Sequence, residues 1–229
     1  MILNKIILSF LTLIILNGCD DGWDFDIPGC MNQDAFNYDS NVTIDNGSCS
    51  FQENQNEYIY TIDIDASEYN NWIYFSLNSG EVVDISNPEN SLNWDLAFQR
   101  NHIRTNGGLS GTGNICSIVD ESQVWTSNSF ESVQQISNGE CEYDKLIDGD
   151  IFNYQGCYNP QTHIFESCIK NPALDKWGYF NDSYSFNVSN YNFFIKDIDG
   201  DYVKVWLINY YDVNGESGKI SMSYLFLDK

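Results

Sequence analysis

The sequence predicts an all-β fold, on three observations. Aromatic residues make up 15% of the 229 residues, with 15 tyrosines, a composition that suits pleated, half-buried surfaces. Short runs alternate apolar and polar residues with period two, and few segments have helical period. Asp199-Gly200 and Asn214-Gly215 lie between such runs, where tight hairpin turns belong. Antiparallel hairpins account for this spacing without a βαβ crossover.

The elements follow in order. Tyr58–Ile64 puts Tyr58, Tyr60, Ile62 and Ile64 on one face of a strand. Trp72–Leu77 is a second strand, turned by Asn78-Ser79-Gly80 toward Glu81–Val83. Asn93–Gly108 reads as one long strand that runs into a glycine turn. Trp94, Leu96 and Phe98 alternate with Asp95, Ala97 and Gln99, and the pattern continues so that Arg100, His102 and Arg104 share the face of Trp94 and Phe98. Ile115–Asp182 is less regular and reads as long loops stapled by two disulfides. Tyr191–Lys196, Tyr202–Tyr211 and Gly218–Phe226 then form two consecutive hairpins, the last strand alternating Ile220, Met222, Tyr224 and Phe226 with Lys219, Ser221 and Ser223. These strands define a main domain over residues 56–229.

The N-terminus carries an address. Lys5 supplies a positive region, Ile6–Leu16 an apolar one, and Leu16-Asn17-Gly18-Cys19 resembles a bacterial lipobox. Residues 1–18 are expected to be cleaved as a signal peptide, with acyl chains attached to Cys19. Such chains hold a protein on a membrane at about 0.8 kcal/mol per buried CH₂. Removing Cys19 from the seven cysteines leaves six, an even set in an exported chain. Residues 19–29 read as a tether, with Asp20-Asp21 resembling the surface-export signal of Bacteroidota lipoproteins. The expected location is therefore the outer membrane, exposed at the cell surface.

Residues 30–49 form a small cysteine-bounded module. Its Gly29-Cys30, Ala35-x-Asn37-Tyr38 and Asp45-x-Gly47-Ser48-Cys49 match a repeat common in secreted Bacteroidota proteins. Cys30 and Cys49 are expected to pair, a closure worth about 3 kcal/mol in the chain-entropy model. Asp34, Asn37, Asp39, Asn41, Asp45 and Asn46 offer oxygens for Ca²⁺, but the spacing is not that of an EF-hand loop and Asx-turns are the favoured reading. Cys116, Cys141, Cys157 and Cys168 permit three pairings, of which proximity favours Cys116–Cys141 and Cys157–Cys168. Their wide spacing in an oxidising compartment argues against zinc.

A net charge of -23 argues against nucleic acid and against anionic headgroups. No nucleophile elbow, His-Glu-x-x-His or phosphate loop is present, so a binding protein is expected rather than an enzyme.

Three blocks together resemble the HmuY family of haem-binding lipoproteins. They are Trp72-Ile-Tyr-Phe-Ser-Leu-Asn-Ser-Gly-Glu-Val-Val83, then Trp94-Asp-Leu-Ala-Phe-Gln-Arg-Asn-His-Ile-Arg-Thr-Asn-Gly-Gly108 with Ser110-Gly-Thr-Gly113, and Asp199-Gly-Asp-Tyr-Val-Lys-Val-Trp206 with Tyr210-Tyr211 and Ser217-Gly218. The resemblance implies an antiparallel all-β fold, haem capture outside the cell and transfer to an outer-membrane haem receptor. It also implies axial ligation by histidine or methionine. Trp177–Phe186, where relatives often place a histidine, holds none.

Haem needs an apolar slot, axial ligands and cations for its propionates. The candidate ligands here are His102, His163 and Met222, with tyrosine as a further option. Arg100 and Arg104, the only arginines, flank His102 and suit carboxylates in bidentate geometry. The alternative is a non-haem module on the same fold that holds a protein, glycan or other nutrient through exposed aromatics.

Overall fold

The computed structural model describes residues 26–33, 35, 38–49, 59–137, 139–150 and 155–227. Cys19, Asp34, Asn37 and Tyr58 lie outside them. The chain divides into two compact units at residues 55 and 56.

In the first unit, Cys30 is bonded to Cys49, and the two-residue strands Pro28–Gly29 and Ile44–Asp45 pair in parallel. The carboxylate of Asp39 accepts from Asn41 N at 2.8 Å, and that of Asp45 from Gly47 N at 3.0 Å. Asn46 Oδ1 likewise accepts from Ser48 N at 2.9 Å. These are Asx-turns, each satisfying a backbone donor two residues on. Among the described residues no group of three His, Cys, Asp or Glu could hold a metal ion.

The second unit is built on nine strands: β1 Tyr60–Asp65, β2 Ile73–Ser76, β3 Glu81–Val83, β4 Leu96–Gln99, β5 His102–Thr105, β6 Cys116–Val124, β7 Tyr191–Lys196, β8 Tyr202–Tyr211 and β9 Ser217–Phe226. They form a five-stranded sheet in the order β1-β9-β8-β7-β6 and a four-stranded sheet in the order β3-β2-β4-β5. Every pairing within these two sheets is antiparallel.

The period-two pattern explains the core. Ile64, Ile220, Met222, Tyr224, Val205 and Phe193 lie on one face of the larger sheet and pack with Phe75, Leu96, Phe98 and Ile103 of the smaller. Met222 is fully buried there, so its thioether is core filling and not a haem ligand. The opposite face of the larger sheet presents Ile118, Phe194 and Leu225, covered by Trp125 and by Phe130 of the one-turn helix α1, Ser127–Ser132. Lys204 is fully buried on that face and donates from Nζ to Val133 O at 2.7 Å. Both faces of this sheet are therefore covered.

Two sequence expectations are corrected. The stretch from Trp94 to Arg104 is a hairpin, not one strand. Gln99 pairs with His102 and Arg100-Asn101 is its two-residue turn. Pairing Phe98 with Ile103 flips the parity, so His102 and Arg104 share a face with Gln99 and Ala97, opposite Phe98. The second correction concerns Ile115–Asp182. Its first part, β6, is an edge strand that pairs along β7, and Asn171 supports it by accepting from Ser117 Oγ at 2.6 Å. Its other described residues form the helix α1, a 3-10 turn at Leu174–Trp177, short paired strands and turns. Cys116 is bonded to Cys141 and Cys157 to Cys168.

Candidate ligand-binding site

The β4–β5 turn brings the sequence-level candidates into a defined setting. Arg100 has φ of 53°, a conformation unusual for a side chain with a Cβ. The surrounding contacts hold it there. Its N–H donates to Ala66 O at 2.8 Å, and Trp177 Nε1 donates to Asn101 O at 2.8 Å. The guanidinium donates to Ser67 O, Ser217 O and Ser217 Oγ at 2.9, 3.0 and 2.6 Å. It also lies over the rings of Tyr69 and Tyr210 at 4.5 and 5.6 Å. Gly218, at φ 82°, leaves the room this requires, since a Cβ there would stand 2.8 Å from Arg100 Nη1. Arg100 thus ties the turn to the ends of β1 and β9.

Arg104 is placed differently. Tyr74, Ala97 and Arg104 form one row across β2, β4 and β5. Arg104 Nε donates to Ile169 O at 2.7 Å, and the guanidinium carbon lies 3.8 Å from the centroid of Trp72. Among the described residues it makes no ion pair, every one of which is formed by a lysine.

His102, one residue pair from the turn, is sealed. It is 6% exposed, and its Nδ1 is buried without a hydrogen-bond partner. Burial, reinforced by Lys170, Arg104 and Arg100, pushes its pKa down to about 3. Lys170 is itself buried, held by Asp175 at 2.8 Å and Gly156 O at 3.2 Å. His102 is therefore a neutral imidazole beside three cations.

His163 has the opposite environment. It is exposed, at φ 56°, between the paired strands Cys157–Asn159 and Ile164–Glu166. His163 N donates to Asn159 O at 2.8 Å, and Asn159 Oδ1 accepts from Gln161 N at 2.9 Å, which fixes the tip. Tyr158 OH lies 2.8 Å from His163 Nδ1. When Nδ1–H donates to that oxygen, Nε2 carries the lone pair a metal would take. The Tyr158 ring meets Tyr69 edge-on at 6.3 Å, and Tyr69 in turn lies under Arg100. Tyr69, Tyr158 and His163 thus make a continuous ledge. Sequence reading named His163 but missed both tyrosines. A tyrosine beside a disulfide cysteine, five residues before a histidine, was the available signal.

These residues fit haem in part. One imidazole is exposed and oriented by a phenol, while the other is enclosed, so a clasp of one iron between His102 and His163 does not fit this arrangement. A hollow of about 660 Å³ opens between Gln134–Ile136 and Gly200–Tyr202, and one of about 400 Å³ lies along Asp84–Asn93. Neither is lined by histidine or methionine.

An antiparallel two-sheet body with short hairpins beside it defines the chain's main domain as an all-β fold. The model of the HmuY protein family matches residues 68–224, and the chain belongs to that family. Solved structures agree on the fold. The apo HmuY analogue of Tannerella forsythia is 20% identical with a TM-score of 0.57, covering 75% of this chain and 96% of its own. An HmuY-like protein of Bacteroides vulgatus, ascribed heme binding, is 21% identical with a TM-score of 0.59, covering 76% and 94%. A lipoprotein of Bacteroides fragilis is 18% identical with a TM-score of 0.56, covering 76% and 92%. No curated protein matches the chain. Among the described residues no helix is long and apolar enough to cross a membrane.

Proposed function

We propose that this chain is a lipid-anchored protein of the outer-membrane surface that captures haem with His163 as its single histidine ligand. The anchor is Cys19, and a receptor in the same membrane is the recipient. The observation that carries the reading is the 2.8 Å contact between Tyr158 OH and His163 Nδ1 on an exposed hairpin, beside Tyr69. The bond to the phenol orients the ring, and the Cys157–Cys168 disulfide closes the segment that bears it. Tyr69 and Tyr158 offer flat apolar surface beside the imidazole. Bound haem would supply the iron and the porphyrin face, and the protein's part is to bind and orient it.

Titrating haemin into the purified full chain tests this. A saturable Soret shift is expected, lost in His163→Ala and kept in His102→Ala. A folded protein that gives no shift, or a shift unchanged in His163→Ala, overturns the reading.

A second reading has its own observation. Tyr179, Phe180 and Tyr184, on and beside the hairpin Gly178–Phe180/Phe186–Val188, are 62%, 42% and 78% exposed. Exposed aromatics on a pinned hairpin suit a protein or glycan partner.

A further inference from the structure

Two features of Arg104 stand out against the composition. The chain has 33 acidic residues and two arginines, yet neither arginine forms an ion pair among the described residues. Arg100 uses its guanidinium on Ser67, Ser217, Tyr69 and Tyr210. Arg104 does not. Of its five N–H donors only Nε–H is engaged, by Ile169 O. Among the described residues its two Nη groups have no hydrogen-bond partner. At 3.8 Å from the ring centroid the guanidinium carbon is in van der Waals contact over the Trp72 indole, a cation–π contact.

The surroundings hold the fork in place, and burial lowers its pKa from the ordinary arginine value. The bond from Nε to Ile169 O and the contact with Trp72 restrain it. Lys170 and the neutral His102 stand nearby, the latter with an orphaned Nδ1 that is nine-tenths buried. The nearest negative influences, Asp144 and Glu89, act at long range and make no contact with it. Asp144 directs its oxygens to Thr105 and Asn171 instead. A half-buried guanidinium restrained by Ile169 O and Trp72, with two Nη groups and no ion pair among the described residues, is prepared for an anion.

We infer that Arg104 and Trp72 form a binding site for the carboxylate of a flat aromatic ligand, the two Nη groups taking its oxygens while its body extends along the indole. The planar fork favours a bidentate carboxylate, which a lysine ammonium cannot match. The site uses no residue of the His163 ledge and requires no iron, so its test is separate from the haemin titration.

Benzoate is the probe and methyl benzoate its neutral control, titrated into the full chain by calorimetry. Saturable binding of benzoate and none of the ester is expected. Arg104→Lys, which keeps the charge, should weaken benzoate at least about tenfold. Trp72→Leu should weaken it to a similar degree. His163→Ala should leave it unchanged, which separates this site from the haem reading. Far-ultraviolet circular dichroism and the urea midpoint establish that each variant is folded. A folded wild-type chain that binds no benzoate, or binds the ester equally, overturns the inference. So does a folded Arg104→Lys variant with undiminished affinity.

Discussion

Replacing Asp144 with alanine should destabilise the main domain by about 3 kcal/mol, the scale for leaving buried donors without an acceptor. Asp144 is 2% exposed and far in sequence from its partners. Its two carboxylate oxygens accept from Thr105 N at 3.0 Å each, and Oδ1 also accepts from Thr105 Oγ1 at 2.7 Å and Asn171 Nδ2 at 3.0 Å. The backbone adds Leu109 N to Asp144 O at 3.0 Å, and Gly108 fits against that carbonyl because it lacks a Cβ. One residue therefore joins the end of β5, the glycine turn after it and the Asn171 segment. Burial pushes its carboxyl above the ordinary range, and the hydrogen bonds pull it back. The charge is thus expensive in itself. The larger loss in the alanine variant comes from donors left buried without acceptors. Asp144→Asn keeps the shape but sets an amide against those donors, so it should fall between wild type and alanine. Urea unfolding measures this directly, as a fall in midpoint at constant slope. A loss below about 1 kcal/mol in the alanine variant would show that the donors find water or rearrange.

The strands of the two sheets were largely legible because each buries one face. The alternation in Ile220, Met222, Tyr224 and Phe226 places those four side chains on the core side of β9. The turns Asp199-Gly200 and Asn214-Gly215 were legible for the same local reason, since both glycines adopt positive φ. The β4–β5 turn was not. Arg100-Asn101 lacks a glycine, and its backbone is held by contacts to Ala66, Ser217 and Trp177 that lie far off in the chain. Reading through the turn reversed the face assigned to His102 and Arg104. β6 was hidden by its polar half, since Asp120-Glu121-Ser122-Gln123 runs out into solvent beyond a buried start at Cys116. The site was legible only as residue types. That Arg100 binds Ser67 and Ser217 while Arg104 binds Ile169 O beside Trp72 depends on tertiary partners no local pattern encodes.

The burial of His102 makes it a source of acid sensitivity. Its pKa is near 3 in the folded chain, against an ordinary 6.5. The unfolded chain takes up a proton as pH falls below about 6.5, while the folded chain resists until about 3. Stability from this residue is therefore complete above the upper value, eroded through the interval and lost below the lower one. At about pH 4.5 the gap of about two units corresponds to about 3 kcal/mol, at about 1.36 kcal/mol per unit. Other buried groups act in the opposite direction. Asp95 and Asp144 have raised pKa values, so the folded chain gains protons before the unfolded one and is favoured as pH falls. Those contributions are common to a pair of proteins that differ only at residue 102. His102→Gln removes the titration and retains a polar side chain of similar reach. The stability difference between wild type and this variant, measured by urea unfolding, should shift by about 3 kcal/mol in the variant's favour between about pH 7.5 and pH 4.5. A difference that stays flat across that interval would mean that the imidazole protonates in place. It would then have to be solvated, or paired with a carboxylate, in the folded chain.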